Sequence, residues 1–205
     1  MTSTRPLNRS ELRRQLRSSR NSLTDQQQRH AAGGLMKTLS KELFFRRAKR
    51  IALYLPNDGE ISPLPLLTLS EKLGKQCYLP VLHPHRQRQL LFGEYSNGDK
   101  LVHNRFNIPE PDLKRRKHCQ NHALDVVLMP LVGFDSRGNR LGMGGGFYDR
   151  SFAFKQKNGN FQRKPLLIGL AHSLQEVDAL PVEPWDVPLF GVATEKRFIH
   201  ATPPF

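Results

Sequence analysis

The sequence predicts a single α/β domain over residues 1–205, a mainly parallel sheet flanked by helices on both faces, with a basic helix at its N-terminus. Three observations carry this reading. Apolar runs at Ile51–Leu55, Cys77–Leu82, Asp125–Leu131 and Leu166–Leu170 have strand length. Between the first two runs lies a stretch with helical spacing, and a strand–helix–strand unit sets its strands parallel. The same alternation continues toward the C-terminus, which is the pattern of an α/β domain.

Taken in order, Leu12, Leu16 and Leu23 stand among arginines at roughly helical spacing and predict a basic amphipathic helix from about Arg9 to Arg20. Thr24 with Gln27 reads as a capping box for a second helix, whose apolar positions are Ala31, Leu35, Met36, Leu39 and Leu43. Ile51–Leu55 is the first strand. Ser62-Pro63 starts a helix with Leu66, Leu69 and Leu73 on its inner face, and Gly74 ends it. Cys77–Leu82 is the next strand, and Leu90–Tyr95 alternates weakly, as an edge strand does. The Lys/Arg/His-rich stretch Glu110–His122 reads as a solvated loop or helix face. Asp125–Leu131 is a buried strand. A glycine-rich turn follows it, then a helix from about Tyr148, a strand at Leu166–Leu170 and a last one at Gly191–Thr194.

Composition excludes several classes. Hydrophobic residues make up 38% and include 12 Phe, which argues against disorder. No apolar run approaches the ~20 residues of a membrane-spanning helix; the longest, Val126 to Phe134, contains Pro130. The N-terminal stretch has no hydrophobic core, so a secretion signal is not expected. It is rich in Arg and Ser and poor in acids, which also resembles an organelle transit peptide. Cys77 and Cys119 lack metal or redox spacing and read as reduced thiols of a cytoplasmic protein. A formal charge of +14 favours an anionic partner.

The segment Phe134–Arg150 carries the chemistry. Gly142, Gly144, Gly145 and Gly146 stand between a strand and a helix, where bare backbone N–H groups make an anion site suited to phosphate. Arg137, Arg140 and Arg150 add positive charge, and Asp149 could hold a magnesium ion beside the phosphates. The pattern is neither a Walker loop, which needs Gly-Lys-Ser/Thr, nor a dinucleotide fingerprint, because position 147 is Phe. The residues alone stop at a phosphate-binding α/β protein.

Arg140–Arg150 (RLGMGGGFYDR) resembles the nucleotide-binding motif of the 5-formyltetrahydrofolate cyclo-ligases, also called methenyltetrahydrofolate synthetases. Other fragments agree in order: Arg9–Arg13, Tyr54-Leu55 with Asp58–Ile61, Gly74-Lys75 with Tyr78–Pro80, Ile108–Pro111, Leu180-Pro181, Trp185–Pro188 and Thr194. The resemblance covers about residues 9–194. It makes the N-terminal helix part of the enzyme, which leaves little room for a transit peptide.

The resemblance implies an ATP- and Mg²⁺-dependent cyclisation of 5-formyltetrahydrofolate to 5,10-methenyltetrahydrofolate, with release of ADP and phosphate, through phosphorylation of the formyl oxygen. Its ATP positions fall on Arg9, Arg13, Arg140, Leu141, Gly142, Met143, Gly144, Gly145, Gly146, Phe147 and Tyr148, with Arg140 catalytic. Its folate positions fall on Leu55, Glu60 and Met143–Phe147 (Met143, Gly144, Gly145, Gly146, Phe147). Its magnesium positions fall on Asp149 and Asp186. The chain departs from the common pattern at Arg9 and Gly145, where many members carry Lys, and at Phe147, where the first Tyr of Tyr-Tyr-Asp is usual. The partners expected are small molecules, ATP and the folate, with no membrane; the expected state is a monomer.

The rival is a basic nucleic-acid-binding domain gripping phosphates with Arg13, Arg14, Arg17 and Arg20. It is disfavoured, because these arginines are not interleaved with stacking aromatics. His83-Pro84-His85 and His118, Cys119, His122 are incomplete as metal sets and read as surface residues. Phe44-Phe45 and Trp185 read as core or pocket wall.

Overall fold

The computed structural model describes residues 8–157 and 163–202; the stretch before Asn8, which begins the transit-peptide-like segment, lies outside them. The helices are α1 (Arg9–Asn21), α2 (Asp25–Ser40), α3 (Leu43–Arg47), α4 (Leu64–Lys72), α5 (Phe147–Ser151) and α6 (Phe154–Lys157). The strands are β1 (Arg50–Ala52), β2 (Gln76–Leu82), β3 (Leu90–Glu94), β4 (Leu101–His103), β5 (Pro109–Pro111), β6 (His118–Cys119) and β7 (Val126–Pro130). They continue with β8 (Gly133–Asp135), β9 (Arg140–Leu141), β10 (Leu166–Leu170), β11 (Glu176–Val177), β12 (Gly191–Ala193) and β13 (Phe198–His200).

The main sheet runs β13-β12-β10-β7-β1-β2-β3-β6. Its centre, from β12 to β2, is parallel, and β13, β3 and β6 join antiparallel. Alternation along the strands sorts the side chains onto two cores. Val126, Leu128 and Ile168 face α2, α3 and α4 with Leu35, Leu39, Phe45 and Leu66. Val127, Met129 and Leu167 face the opposite side with Phe92, Phe152, Val187 and Leu189. That second face is covered by short helices and the 187–189 segment rather than by long helices. Leu16 of α1 packs with Val132, Leu141 and Leu180 in a third cluster.

The capping box on α2 is as the sequence implies, and α1 carries a second one that the sequence reading did not include. Thr24 caps α2 through Gln27, and Asn8 caps α1 with Glu11. Gly74 ends α4 in the left-handed region, at φ +68°.

Several expectations are corrected. Leu23 lies past the end of α1, and Leu43 begins α3 instead of extending α2, because the chain turns at Lys41-Glu42. Leu43 and Leu73 are exposed rather than inward-facing. The first strand stops at Ala52; only Leu53 continues the pairing, through its N–H to Tyr78 O. β3 is not an edge, since the two-residue β6 pairs with it. Glu110–His122 is not one loop, because it supplies part of β5, all of β6 and a turn of 3₁₀ helix. The strand directly before the glycines is β9, in a small sheet of β11, β8 and β9, not the long β7. Finally, β13 follows β12 at the sheet's end.

Candidate functional site

β1 leads on to β2 on one side and its other neighbour, β7, leads on to β10 on the other, so the strand order reverses between β1 and β7. Such a switch point opens a crevice at the carboxyl ends of parallel strands. A groove of about 780 Å³ lies there, bordered by Tyr54 and Leu55 after β1, Leu82 at the end of β2, and Pro130 and Leu131 at the end of β7. The volume suits one or two small organic molecules.

One wall is basic and glycine-rich. Arg9 and Arg13 sit four residues apart on α1 and so share a face. Arg13 Nε donates to Gly142 O at 2.8 Å, which fixes α1 against the glycine turn. Burial and the neighbouring Arg9 both lower the Arg13 pKa. Arg9 Nη1 meets Asp186 Oδ2 at 3.2 Å and donates to Pro181 O at 3.3 Å. Gly142 has open space where a Cβ would stand, and Gly144, at φ +92°, has the Arg13 guanidinium carbon 3.5 Å from that point. Gly146, also left-handed, caps α5. Arg140 is nearly enclosed, donating to Val187 O and to Asp149 Oδ1. Burial lowers its pKa, while Asp149 and Asp186 oppose that shift.

Asp149 and Asp186 border the same groove. Asp149 Oδ1 also accepts from the Val187 N–H at 3.2 Å, and Asp186 Oδ2 accepts from the Glu183 N–H at 3.0 Å. Two carboxylates with no nitrogen or sulfur donor beside them form a hard-cation donor set. Among the described residues no three His, Cys, Asp or Glu side chains are arranged to enclose a metal. Magnesium takes one or two carboxylates and completes its shell with phosphate and water, so the oxygen-only chemistry of this pair suits it, while in this structure Arg140 and Arg9 hold the two carboxylates.

The other wall is largely apolar. Leu55, Leu82, Leu90 and Phe147 supply the surface, and Glu60 stands there as a mostly enclosed acid, with Asp58 and Glu110 also bordering the groove. Burial pushes the Glu60 carboxyl up to about 7, against the pull of the Asn57 N–H and Arg20. Tyr148 is enclosed, and burial raises its hydroxyl, with Glu60 adding to the shift.

Thus all the residues expected at the site, from Arg9 to Asp186, come together around one groove, with Leu141 just behind it in the α1 cluster. Sequence reasoning missed its outer rim. The β4–β5 hairpin overhangs the mouth, with Phe106 edge-on to Phe147 at 6.0 Å between ring centroids. Glu110 Oε2 staples the hairpin down by accepting from Leu82 N–H and from Asn104 Nδ2. The Asn104–Asn107 turn between two short apolar stretches was the signal for it. Trp185 is pocket rim, largely exposed, while Phe45 is core. His83 Nδ1 accepts the N–H groups of His85 and Arg86, which makes it a turn cap and not a metal ligand.

The nucleic-acid reading loses three of its four grip residues, with only Arg14 left exposed. Arg20 is fully buried, Arg17 is paired with Asp58, and Arg13 serves the glycine turn.

Over most of its length the chain is similar to known proteins. The model of the 5-formyltetrahydrofolate cyclo-ligase family matches residues 6–195. A 5-formyltetrahydrofolate cyclo-ligase of Haemophilus influenzae is 42% identical over 90% of this chain and 96% of its own length. The enzyme of that name from Escherichia coli K12 is 45% identical over 73% of this chain and 80% of its own length. Among solved structures, the Aquifex aeolicus 5,10-methenyltetrahydrofolate synthetase superposes with a TM-score of 0.79 at 28% identity, covering 97% of this chain and 95% of that one.

Proposed function

This chain belongs to the 5-formyltetrahydrofolate cyclo-ligase family, and from that premise we propose that it closes 5-formyltetrahydrofolate to 5,10-methenyltetrahydrofolate, consuming ATP. The observation that carries the proposal is the two-walled groove, basic with bare amides on one side and largely apolar with Glu60 on the other.

The chemical problem is a poor leaving group. A formamide oxygen does not depart when the neighbouring folate nitrogen attacks its carbon. Transfer of the γ-phosphoryl group to that oxygen, with ADP released, turns it into a phosphate ester. The nitrogen then bonds to the formyl carbon, the C–O bond breaks, phosphate leaves, and the nitrogen loses its proton. Such a transfer needs positioning and charge compensation more than covalent help.

In this proposal the turn Arg140–Tyr148 wraps the nucleotide. Its amides meet the phosphates, Arg9 and Arg13 close over them from α1, and Arg140 offsets the charge in transfer. Arg9 brings a planar fork where a lysine is common, and at Gly145 the backbone takes the place of a side-chain cation. Leu55 and Met143–Phe147 border the folate, and the Glu60 carboxylate accepts its N–H donors. Asp149 and Asp186 would hold magnesium, which supplies charge neutralisation between phosphate oxygens. In this structure the same carboxylates pair with Arg140 and Arg9.

The proposal also includes a monomer in the cytoplasm. Both cysteines are buried free thiols, and no described helix is long and apolar enough to cross a membrane.

Mixing the chain with Mg²⁺, ATP and 5-formyltetrahydrofolate should produce the methenyl chromophore, and omitting ATP should abolish it. Absence of the chromophore with all three present rejects the function.

A further inference from the structure

We infer that Arg20 is a positioning residue for folate: from the last turn of α1 it sets the turn at residues 57–60 that presents Glu60 to the groove. The inference rests on the folate reading of that groove but concerns a side chain that does not line it.

Arg20 is 0% exposed. A buried guanidinium persists only where its fork of donors is filled, and here the partners converge on one turn. Nε donates to Asp58 O at 2.7 Å and Nη2 to Asp58 Oδ2 at 2.8 Å. Nη1 donates to Leu131 O at 3.1 Å, which ties the turn to the end of β7. Nη2 also lies 3.9 Å from Glu60 Oε1, too long for a hydrogen bond but within ion-pair range.

The turn could not hold this shape cheaply without such a lock. Asp58 is a non-glycine residue at φ +51°, followed by Gly59 at φ +71°. Asp58 gathers Arg17 Nε at 2.7 Å and Asn21 Nδ2 at 2.9 Å as well, and Arg17 leads the effects that hold its carboxyl well below the usual range. Gly59 O accepts from Gln28 Nε2 and from His172 Nε2, each at 3.2 Å. Glu60 is thereby fixed at the end of an anchored turn, its N–H bonded to Asn57 O.

The charged and titratable groups around Glu60 are Arg20 from α1, Asp58 on its own turn, Tyr54 after β1 and Tyr148 on α5. Arg20 is the one cation among them, and it favours the Glu60 carboxylate.

The test compares the full-length chain with Arg20→Lys, which keeps charge and loses the fork, and Arg20→Met, which loses both. KM for 5-formyltetrahydrofolate and for ATP, thermal midpoints, and the pH dependence of kcat/KM for the folate are measured. Positioning predicts that Arg20→Lys raises the folate KM about tenfold or more and the ATP KM less than about twofold. It also predicts that in Arg20→Met the pH at which folate kcat/KM rises moves upward, since the cation that favours the carboxylate is gone. Equal rises in both KM values, or a folded Arg20→Lys with unchanged folate KM, would overturn the inference. If the Arg20 variants do not fold, Arg17→Gln decides, because Arg17 holds the same Asp58 carboxylate from a half-exposed position. A rise in folate KM alone supports positioning, and no rise or a parallel rise in ATP KM overturns it. An unmodified chain without turnover defeats the folate reading itself, whereas an active unmodified chain with insensitive variants defeats only this inference.

Discussion

The two turns that border the groove both depend on glycine, and they use it in opposite ways. In the turn after β9, a Cβ on Gly142 would stand in open space, and one on Gly144 would meet only the Arg13 guanidinium at ordinary contact distance. In the turn at residues 57–60, a Cβ on Gly59 would fall 2.2 Å from Asn21 Oδ1 and 3.2 Å from Arg20 O. At Gly142 and Gly144 the first turn leaves room for something that approaches from outside, while a Cβ on Gly145 or Gly146 would meet the Phe147 ring or Arg150 at 2.8 Å. The second is filled by the protein itself, so its shape is settled before any ligand arrives. The groove therefore pairs an accommodating wall with a rigid one, a division that suits a phosphate chain on one side and a ring system on the other.

The largest effect that tests this contrast is expected at Gly59. Alanine there must hold a left-handed φ and push Asn21 off Asp58. The backbone term is about 1–2 kcal/mol, and the lost hydrogen bond adds about 1 kcal/mol. Gly59→Ala should lower the thermal midpoint by roughly 5–10 °C in a circular-dichroism melt. An unchanged midpoint would mean that this turn is as open as the other.

Much of this was legible in the sequence, and unevenly. The central strands were readable because their hydrophobic runs are bounded by turn residues, α1 because of its helical spacing, and α2 because its cap and periodicity agree. The glycine turn with Arg140 and Asp149 was readable as a phosphate site from the residues alone, while Asp186 and the folate side came only from the resemblance to a family. The rest depends on contacts distant in sequence. Arg20 looks like any residue of a basic helix, and only the fold brings Asp58 and the carbonyl of Leu131 to it. The β4–β5 hairpin was missed because its strands are three residues each and held by proline-bearing pairs, where periodicity has too little length to show. β8, β9 and β11 are shorter than any pattern can reveal.

Glu60 gives an effect of intermediate size, with a sign that separates function from stability. Its folded pKa, about 7, lies above its ordinary 4.5, chiefly through burial. A carboxyl raised in this way stabilises the fold in its protonated form. That contribution is present below the unfolded value and is lost as pH rises toward the folded one. The ionised side chain then costs about 3 kcal/mol at pH 8. Glu60→Gln carries no such charge, so its midpoint should exceed that of the unmodified chain by several degrees at pH 8 and by much less at pH 5. Its folate KM should rise over the same range. A midpoint difference independent of pH would show that Glu60 is not held against its ionisation.

The smallest structural effect, and the sharpest contrast, is expected at Gly142. No positive φ constrains this residue, and its Cβ would meet nothing within 4 Å. Gly142→Ala should therefore leave the thermal midpoint within about 2 °C, as substitutions that touch no packed feature do. The new methyl group would instead occupy the space through which a nucleotide reaches the amides of the turn. The expected result is a rise in ATP KM of about three- to tenfold, with folate KM unchanged. Arg13 still reaches the Gly142 carbonyl, since that bond uses the backbone oxygen, so a change in ATP KM reports the methyl and not a displaced helix. Should folate KM rise in its place, the open turn would belong to the folate, and the two walls of the groove would exchange roles.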